Sequence, residues 1–250
     1  MRRAQRLDGI LAQLASSGSV SVRELSETLD ASPATVRRDL ELLEQQKLLS
    51  RSHGGAVRNG LLYELPVRYR GGQRAAEKSR IADAAVERIS GAQTVGLTGG
   101  TTTTEVARRL RDLALTVVTN AVNIASELVI SETIRLVVTG GVARPQSYEL
   151  IGPLAERTLE GLNVDLMFLG VDGITASGLT THDEVEAHTD RKMVERAARV
   201  IVVCDSSKIG RSALSSICGI AEIDELITDL DAPGEELEEL RAAGVAVVQV

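Results

Sequence analysis

The first seventy residues place apolar side chains at helical spacing in three short runs. Leu7, Ile10, Leu11 and Leu14 share one face over residues 3–16, Val22, Leu25 and Leu29 share a second, and Val36, Leu40 and Leu43 recur at i, i+4 and i+7. Ser21 with Glu24 is a capping-box pattern ahead of the second run, and Ser32 followed by Pro33 is a start signal for the third. Only Asp30-Ala31 separates these two runs. Leu48–Arg51 and Ala56–Arg58 then read as two strands around Gly54-Gly55. Three helices with a short turn, followed by a hairpin, predict a winged helix-turn-helix over residues 1–58.

With the third stripe turned inward, Ala34 and Arg38 point outward, flanked by Thr35 and Arg37. The helix N-terminus adds partial positive charge to these arginines, and both suit a phosphate-rich groove. Ser32, Thr35, Arg37 and Arg38, with Arg51 and His53 from the hairpin, form the candidate DNA-reading set. The competing reading is a solvated helix on which the arginines pair with Glu41 and nearby acids.

Residues 59–75 lose periodicity at Gly60, Pro66 and Gly71-Gly72 and read as a linker, partly packed through Leu61, Leu62 and Tyr63. Beyond it, over residues 76–250, apolar strands alternate with helices. The pattern predicts strands at 94–98, 115–119, 134–139, 165–171, 200–205, 226–229 and 245–250. Helices are expected from Glu77 onward and at about 102–112, 121–130, 147–160, 184–197 and 234–243. This alternation implies a Rossmann-like, mostly parallel α/β domain with both sheet faces covered.

Five of the strands end in small, hydroxylated or charged residues: Gly99-Gly100 before four threonines, Asn120, Gly140-Gly141, Asp172-Gly173, and Asp205-Ser206-Ser207-Lys208. Ligands of open α/β sheets bind beyond the carboxyl ends of strands, so these loops are expected to converge. Gly100, Thr101, Thr102 and Thr103 could cradle a phosphate at a helix N-terminus. Lys208 could oppose it with positive charge, and Asn120 and Asp172 could bond sugar hydroxyls, with Gly141 lining the same edge. The joint expectation is a phosphorylated small molecule. His182, Asp183, Glu184, Glu186 and His188 match no common zinc spacing and read as a solvated helix start. No metal site, cofactor, catalytic residue or nucleophilic triad is nominated.

Charge changes the picture locally. Residues 1–70 carry 11 Lys and Arg against 8 Asp and Glu, whereas the remainder carries 17 against 27. A mildly basic head can approach DNA while the acidic remainder stays off it. Cys204 and Cys218 are too few for a disulfide framework and are expected to be buried, reduced thiols. No signal peptide and no apolar run of membrane-spanning length is read, so the expected location is cytoplasmic, with no membrane partner. One Phe, three Tyr and no Trp disfavour base-stacking recognition of single strands.

Taken together, Thr35–Leu40, Arg51–Ala56, Gly100–Thr103, Thr119-Asn120-Ala121, Gly140-Gly141 and Asp205–Lys208 make the chain resemble the DeoR family of bacterial transcriptional regulators over nearly its whole length. The resemblance implies a helix-turn-helix joined to a sensor domain that looks like ribose-5-phosphate isomerase. It also implies repression of a carbohydrate-catabolism operon until a phosphorylated sugar binds. The partners it implies are double-stranded operator DNA, that effector and further copies of the chain, as a dimer or tetramer. The chain departs from the family pattern at Thr98-Gly99, where Asp-Ala is usual. It departs from the isomerases at Thr175, where they carry a second aspartate, and this argues for binding without turnover. The alternative is a sugar-phosphate isomerase with an accessory DNA-binding head.

Overall fold

Two serine caps set the first unit. In the computed structural model, which describes residues 3–46, 48–58, 64–90 and 93–250, the chain divides into two compact units, residues 1–73 and 74–250. The first runs α1 (Arg3–Ser17), β1 (Ser19–Ser21), α2 (Val22–Thr28), α3 (Pro33–Gln45), β2 (Ser50–Ser52), β3 (Gly55–Val57) and α4 (Val67–Arg70). Ser21 Oγ accepts from the Glu24 amide while the Glu24 carboxylate accepts from the Ser21 amide, closing the capping box at α2. Ser32 Oγ accepts from the Thr35 amide at the start of α3, with Pro33 in its first turn. The apolar stripes of α1, α2 and α3 meet in one core with Leu48, Leu49 and Ala56.

The hairpin is a three-stranded sheet, because β1 adds to it in the order β1-β3-β2. The two glycines divide the work. Gly54 takes the turn with φ +85°, and Gly55 lets β3 approach β1, where a Cβ would fall 2.0 Å from Val20 O. Of the segment expected as a linker, residues 59–63, with Gly60, Leu61, Leu62 and Tyr63, lie outside the described residues. Its second half folds onto the head instead of bridging. Leu65 and Val67 are buried, and Tyr69 Oη donates to Gln46 Oε1 at 2.6 Å.

The second unit runs α5 (Ala75–Val86), β4 (Thr94–Leu97), α6 (Thr101–Leu110), β5 (Thr116–Thr119), α7 (Val122–Leu128), β6 (Arg135–Val138), β7 (Val142–Ala143), β8 (Leu150–Ile151) and α8 (Pro153–Glu160). It continues with β9 (Leu166–Leu169), β10 (Gly173–Thr175), β11 (Gly178–Thr181), α9 (Glu184–Glu195), β12 (Val200–Val203), β13 (Ser215–Cys218), β14 (Glu225–Thr228), α10 (Gly234–Ala242) and β15 (Ala246–Gln249). Seven strands form one parallel sheet in the order β15-β14-β12-β9-β4-β5-β6. Alternate residues enter opposite layers. Leu166, Phe168, Ile201 and Val203 join one apolar cluster, and Met167, Leu169, Val200 and Val202 join the other.

Residues 147–152 correct the expected helix at 147–160. Leu150-Ile151 pairs antiparallel with Val142-Ala143, and α8 begins only at Pro153. Tyr148 at φ +65° and Gly152 at φ +90° break any helical path, and proline is suited to the first turn that follows. A small antiparallel sheet, β10-β11-β13, is likewise added beside the main one. The chain moves outward from β4 through β5 to β6, then returns to lay β9 on the other side of β4. Strand order therefore reverses between β4 and β9, the place where open α/β sheets form a ligand crevice at the carboxyl ends of their strands.

Candidate functional site

On the first unit the inward stripe of α3 fixes what the other face presents. Val36, Leu40 and Leu43 are buried, and Ser32, Ala34, Arg37 and Arg38 are exposed. Among the described residues neither the Arg37 nor the Arg38 guanidinium pairs with a carboxylate, so the expected alternative of pairing with Glu41 is not what the fold adopts. Ser32 is engaged as the cap, with its hydroxyl 2.9 Å from that of Thr35, which is half-buried. Arg51 and His53 are exposed on the wing, and the Arg51 amide donates to Glu44 Oε1 at 3.0 Å, tying wing to helix. Asp39, on the buried stripe next to Arg38, was missed: it is 2 % exposed and held by Arg6 of α1, with Arg3 at 3.7 Å. Its i+3 spacing from Val36 already put it on the inward face.

On the second unit α6 opens beyond β4. Gly100, at φ +126°, precedes Thr101, whose amide with those of Thr102 and Thr103 belongs to the free first turn of the helix. The hydroxyls of Thr103 and Thr104 both donate to Gly100 O, at 3.1 and 2.6 Å, and so brace the loop from within. Across the crevice Thr98 Oγ1 accepts from the Gly170 amide at 3.0 Å, joining the ends of β4 and β9. Gly141 sits at the start of the β7–β8 hairpin, where a Cβ would fall 2.8 Å from Ile151 O.

Lys208 and Asp172 come together as an ion pair, Nζ to Oδ1 at 3.4 Å. Asp172 Oδ2 accepts from Thr181 Oγ1 at 3.1 Å and lies 3.9 Å from His182 Nε2. Thr181 Oγ1 also lies 2.5 Å from Glu186 Oε1, and Glu186 Oε2 accepts from Arg144 at 3.1 Å. Asn120 is fully buried, and its Nδ2 lies 3.4 Å from Asp190 Oδ1. The crevice thus brings Gly100–Thr103, Asn120, Asp172 and Lys208 to one sheet edge.

Glu149, Asp190 and Arg144 were missed, and Glu186 was misread. Asp183 does cap α9, and Glu184 and His188 are exposed, but Glu186 is buried. One carboxylate oxygen from each of Glu149, Glu186 and Asp190 lies within 4.8 Å of the others. Glu149 Oε1 accepts from the Gly99 amide at 2.6 Å. Burial, and then the neighbouring carboxylates, hold the Glu149 and Asp190 carboxyls well above the usual carboxylate range. Burial also raises Glu186, partly offset by hydroxyl hydrogen bonds and Arg144. Glu186 and Asp190 at i, i+4 beside Met193 and Val194 was the legible signal, since it puts two acids on an apolar face.

Comparison with known proteins agrees with both halves. Residues 6–60 match the model of the DeoR-like helix-turn-helix domain, and residues 73–230 match that of the DeoR C terminal sensor domain. An HTH-type transcriptional regulator, GlpR, of Haloferax volcanii is 41% identical over 253 residues, covering 98% of this chain and 97% of that one. The glycerol-3-phosphate regulon repressor of Escherichia coli is 34% identical, covering 93% of each. A ribose 5-phosphate isomerase from Methanocaldococcus jannaschii aligns with 54% of this chain and 55% of its own at 19% identity and a TM-score of 0.41, which is too distant to bear on function. The chain belongs to the DeoR family of transcriptional regulators.

Proposed function

We propose that this chain is a cytoplasmic repressor of a carbohydrate-catabolism operon, released from its operator by a phosphorylated sugar. The observation that carries the DNA half is the pair of exposed guanidiniums, Arg37 and Arg38, on a capped helix beside a wing bearing Arg51 and His53. The effector half is supported by the Gly100–Thr103 helix start, Asn120, Asp172 and Lys208 at a topological switch point. The similarity to a regulon repressor named for a phosphorylated polyol supports the same class. Among the described residues no helix is long and apolar enough to cross a membrane. The sensor unit binds without turnover: Asp172 is held by Lys208 and Thr181, and Thr175 offers no carboxylate for proton abstraction. The working unit is a dimer or tetramer, because one small head reads too few bases for operator-grade affinity.

The test is direct. Duplex DNA is selected from a random pool with the full chain, and a panel of phosphorylated sugars and polyols is screened by melting and by operator release. Arg37→Ala and Arg38→Ala are expected to lose operator affinity, and Lys208→Ala to lose the effector response. A ligand at about 100 times its Kd raises stability by about 2.7 kcal/mol, a shift readily seen in a melt. Turnover of ribose 5-phosphate by the purified chain, or a panel that shifts neither melting nor operator affinity, overturns the reading. Light scattering that gives only monomer, free and on DNA, overturns the oligomer.

A further inference from the structure

The carboxylates beneath the crevice leave a charge unanswered. Arg144 lies between Asp183 and Glu186, at 3.2 and 3.1 Å, and Lys208 answers Asp172. Glu149 and Asp190, 3 % and 2 % exposed, have no basic partner among the described residues. Two buried carboxylates without a cation are costly in a low-dielectric site. The two polar atoms left without a partner at this cluster are both acceptors. Glu149 Oε2 is buried with no hydrogen-bond partner, and so is Oδ1 of Asn120, the neutral amide that abuts Asp190. Asn120 is fully buried, so water outside cannot satisfy it. Protein donors are missing where acceptors accumulate.

We propose that Glu149, Glu186 and Asp190 form a binding site for one hard divalent cation of the Mg2+, Mn2+ or Ca2+ class, with Asn120, its amide turned so that oxygen replaces nitrogen toward Asp190, as a neutral fourth ligand. Three features support this. The donors are all oxygen, which selects hard ions over zinc or copper. One oxygen from each carboxylate lies within 4.8 Å of the others, and ions that hold oxygens at about 2.0–2.6 Å span such a triangle. The two carboxylates without a basic partner match the charge of one dication. Glu149, just before β8, and α9, which carries Glu186 and Asp190, are far apart in sequence, so the ion would staple the β7–β8 hairpin to α9.

Asn120 is shared with the effector reading, but the two are tested separately, since the probe here is the metal alone. Full-length protein is stripped with chelator and titrated with Mn2+ at constant ionic strength. The free-Mn2+ electron paramagnetic resonance signal reports binding, and a melt reports stabilisation. The expected result is saturable binding of one Mn2+ per chain with a raised melting temperature, and competition by Ca2+ or Mg2+. Glu149→Gln and Asp190→Asn are near-isosteric, remove an uncompensated charge and should leave the metal-free fold at least as stable. Each is expected to weaken Mn2+ by at least about tenfold, and Asn120→Ala to weaken it without any change of charge. Glu235→Gln with Glu239→Gln, in the separate acidic cavity beside α10, is expected to change nothing and so controls for diffuse attraction. No saturable Mn2+ binding, or binding indifferent to both Glu149→Gln and Asp190→Asn, overturns the site. In that case the carboxyls are kept as neutral acids.

Discussion

Gly99 shows how a single residue reports on its neighbour. A Cβ there would fall 2.3 Å from Glu149 Oε1, and the Gly99 amide donates to that same oxygen. The alanine usual in the family pattern therefore cannot coexist with Glu149 as it sits, and glycine makes room for it. Gly99→Ala is expected to destabilise the second unit by about 1–3 kcal/mol, the usual range for overpacking. Adding Glu149→Ala should recover part of that loss, and a double-mutant cycle by denaturant melts measures the coupling. Strictly additive costs would refute the contact. Residue identities such as Gly100–Thr103 and Asn120 were readable from spacing, but pairings were not. Lys208 was expected to oppose a phosphate, and its pairing with Asp172, 36 positions earlier, was not foreseen, because only the topology brings β9 beside β12. Burial of Cys204 and Cys218 was legible from their apolar settings. Both thiols are pushed up by burial, Cys218 to about 12, so neither should react with iodoacetamide until the fold is melted.

Among the elements, α3 owes its position to more than its apolar stripe. Asp39 anchors it to α1 through Arg6, beside the core that holds the Arg37–Arg38 face outward. Removing one partner of a buried ion pair costs about 3–5 kcal/mol, and the partly exposed Arg6 argues for the lower end. Arg6→Ala should therefore lower the head's melting temperature and weaken operator binding, though residue 6 lies on another helix. Unchanged stability would show that the apolar stripe alone suffices. The long helices and the seven strands of the main sheet were legible because each repeats one period for several turns or residues. The hairpin β7–β8 and the strands β10, β11 and β13 were not, since segments of two to four residues cannot establish a period. Pro153 was the overlooked stop sign that would have shortened the helix expected at 147–160.

For the whole molecule, alternation along the chain foretold a parallel sheet but not its order, which depends on β9 crossing back to β4. It did foretell a head whose charge differs in sign from that of the remainder, and operator binding should accordingly weaken steeply with salt. Linkage makes a sharper demand. If a sugar phosphate loosens operator, saturating operator must weaken the sugar phosphate by the same factor, and paired titrations check this. A factor of one in both directions would mean that the two ligands are not coupled. On the effector reading proposed above, the Lys208–Asp172 pair would act as a two-key lock. An anion that drew Lys208 away would leave Asp172, whose side chain is only 7% exposed, without that ion pair. A molecule bringing only negative charge turns one key and strands the other group. One carrying both a phosphate and hydroxyl donors replaces each half of the pair at once. On that reading inorganic phosphate, abundant in any cell, would leave operator affinity unchanged.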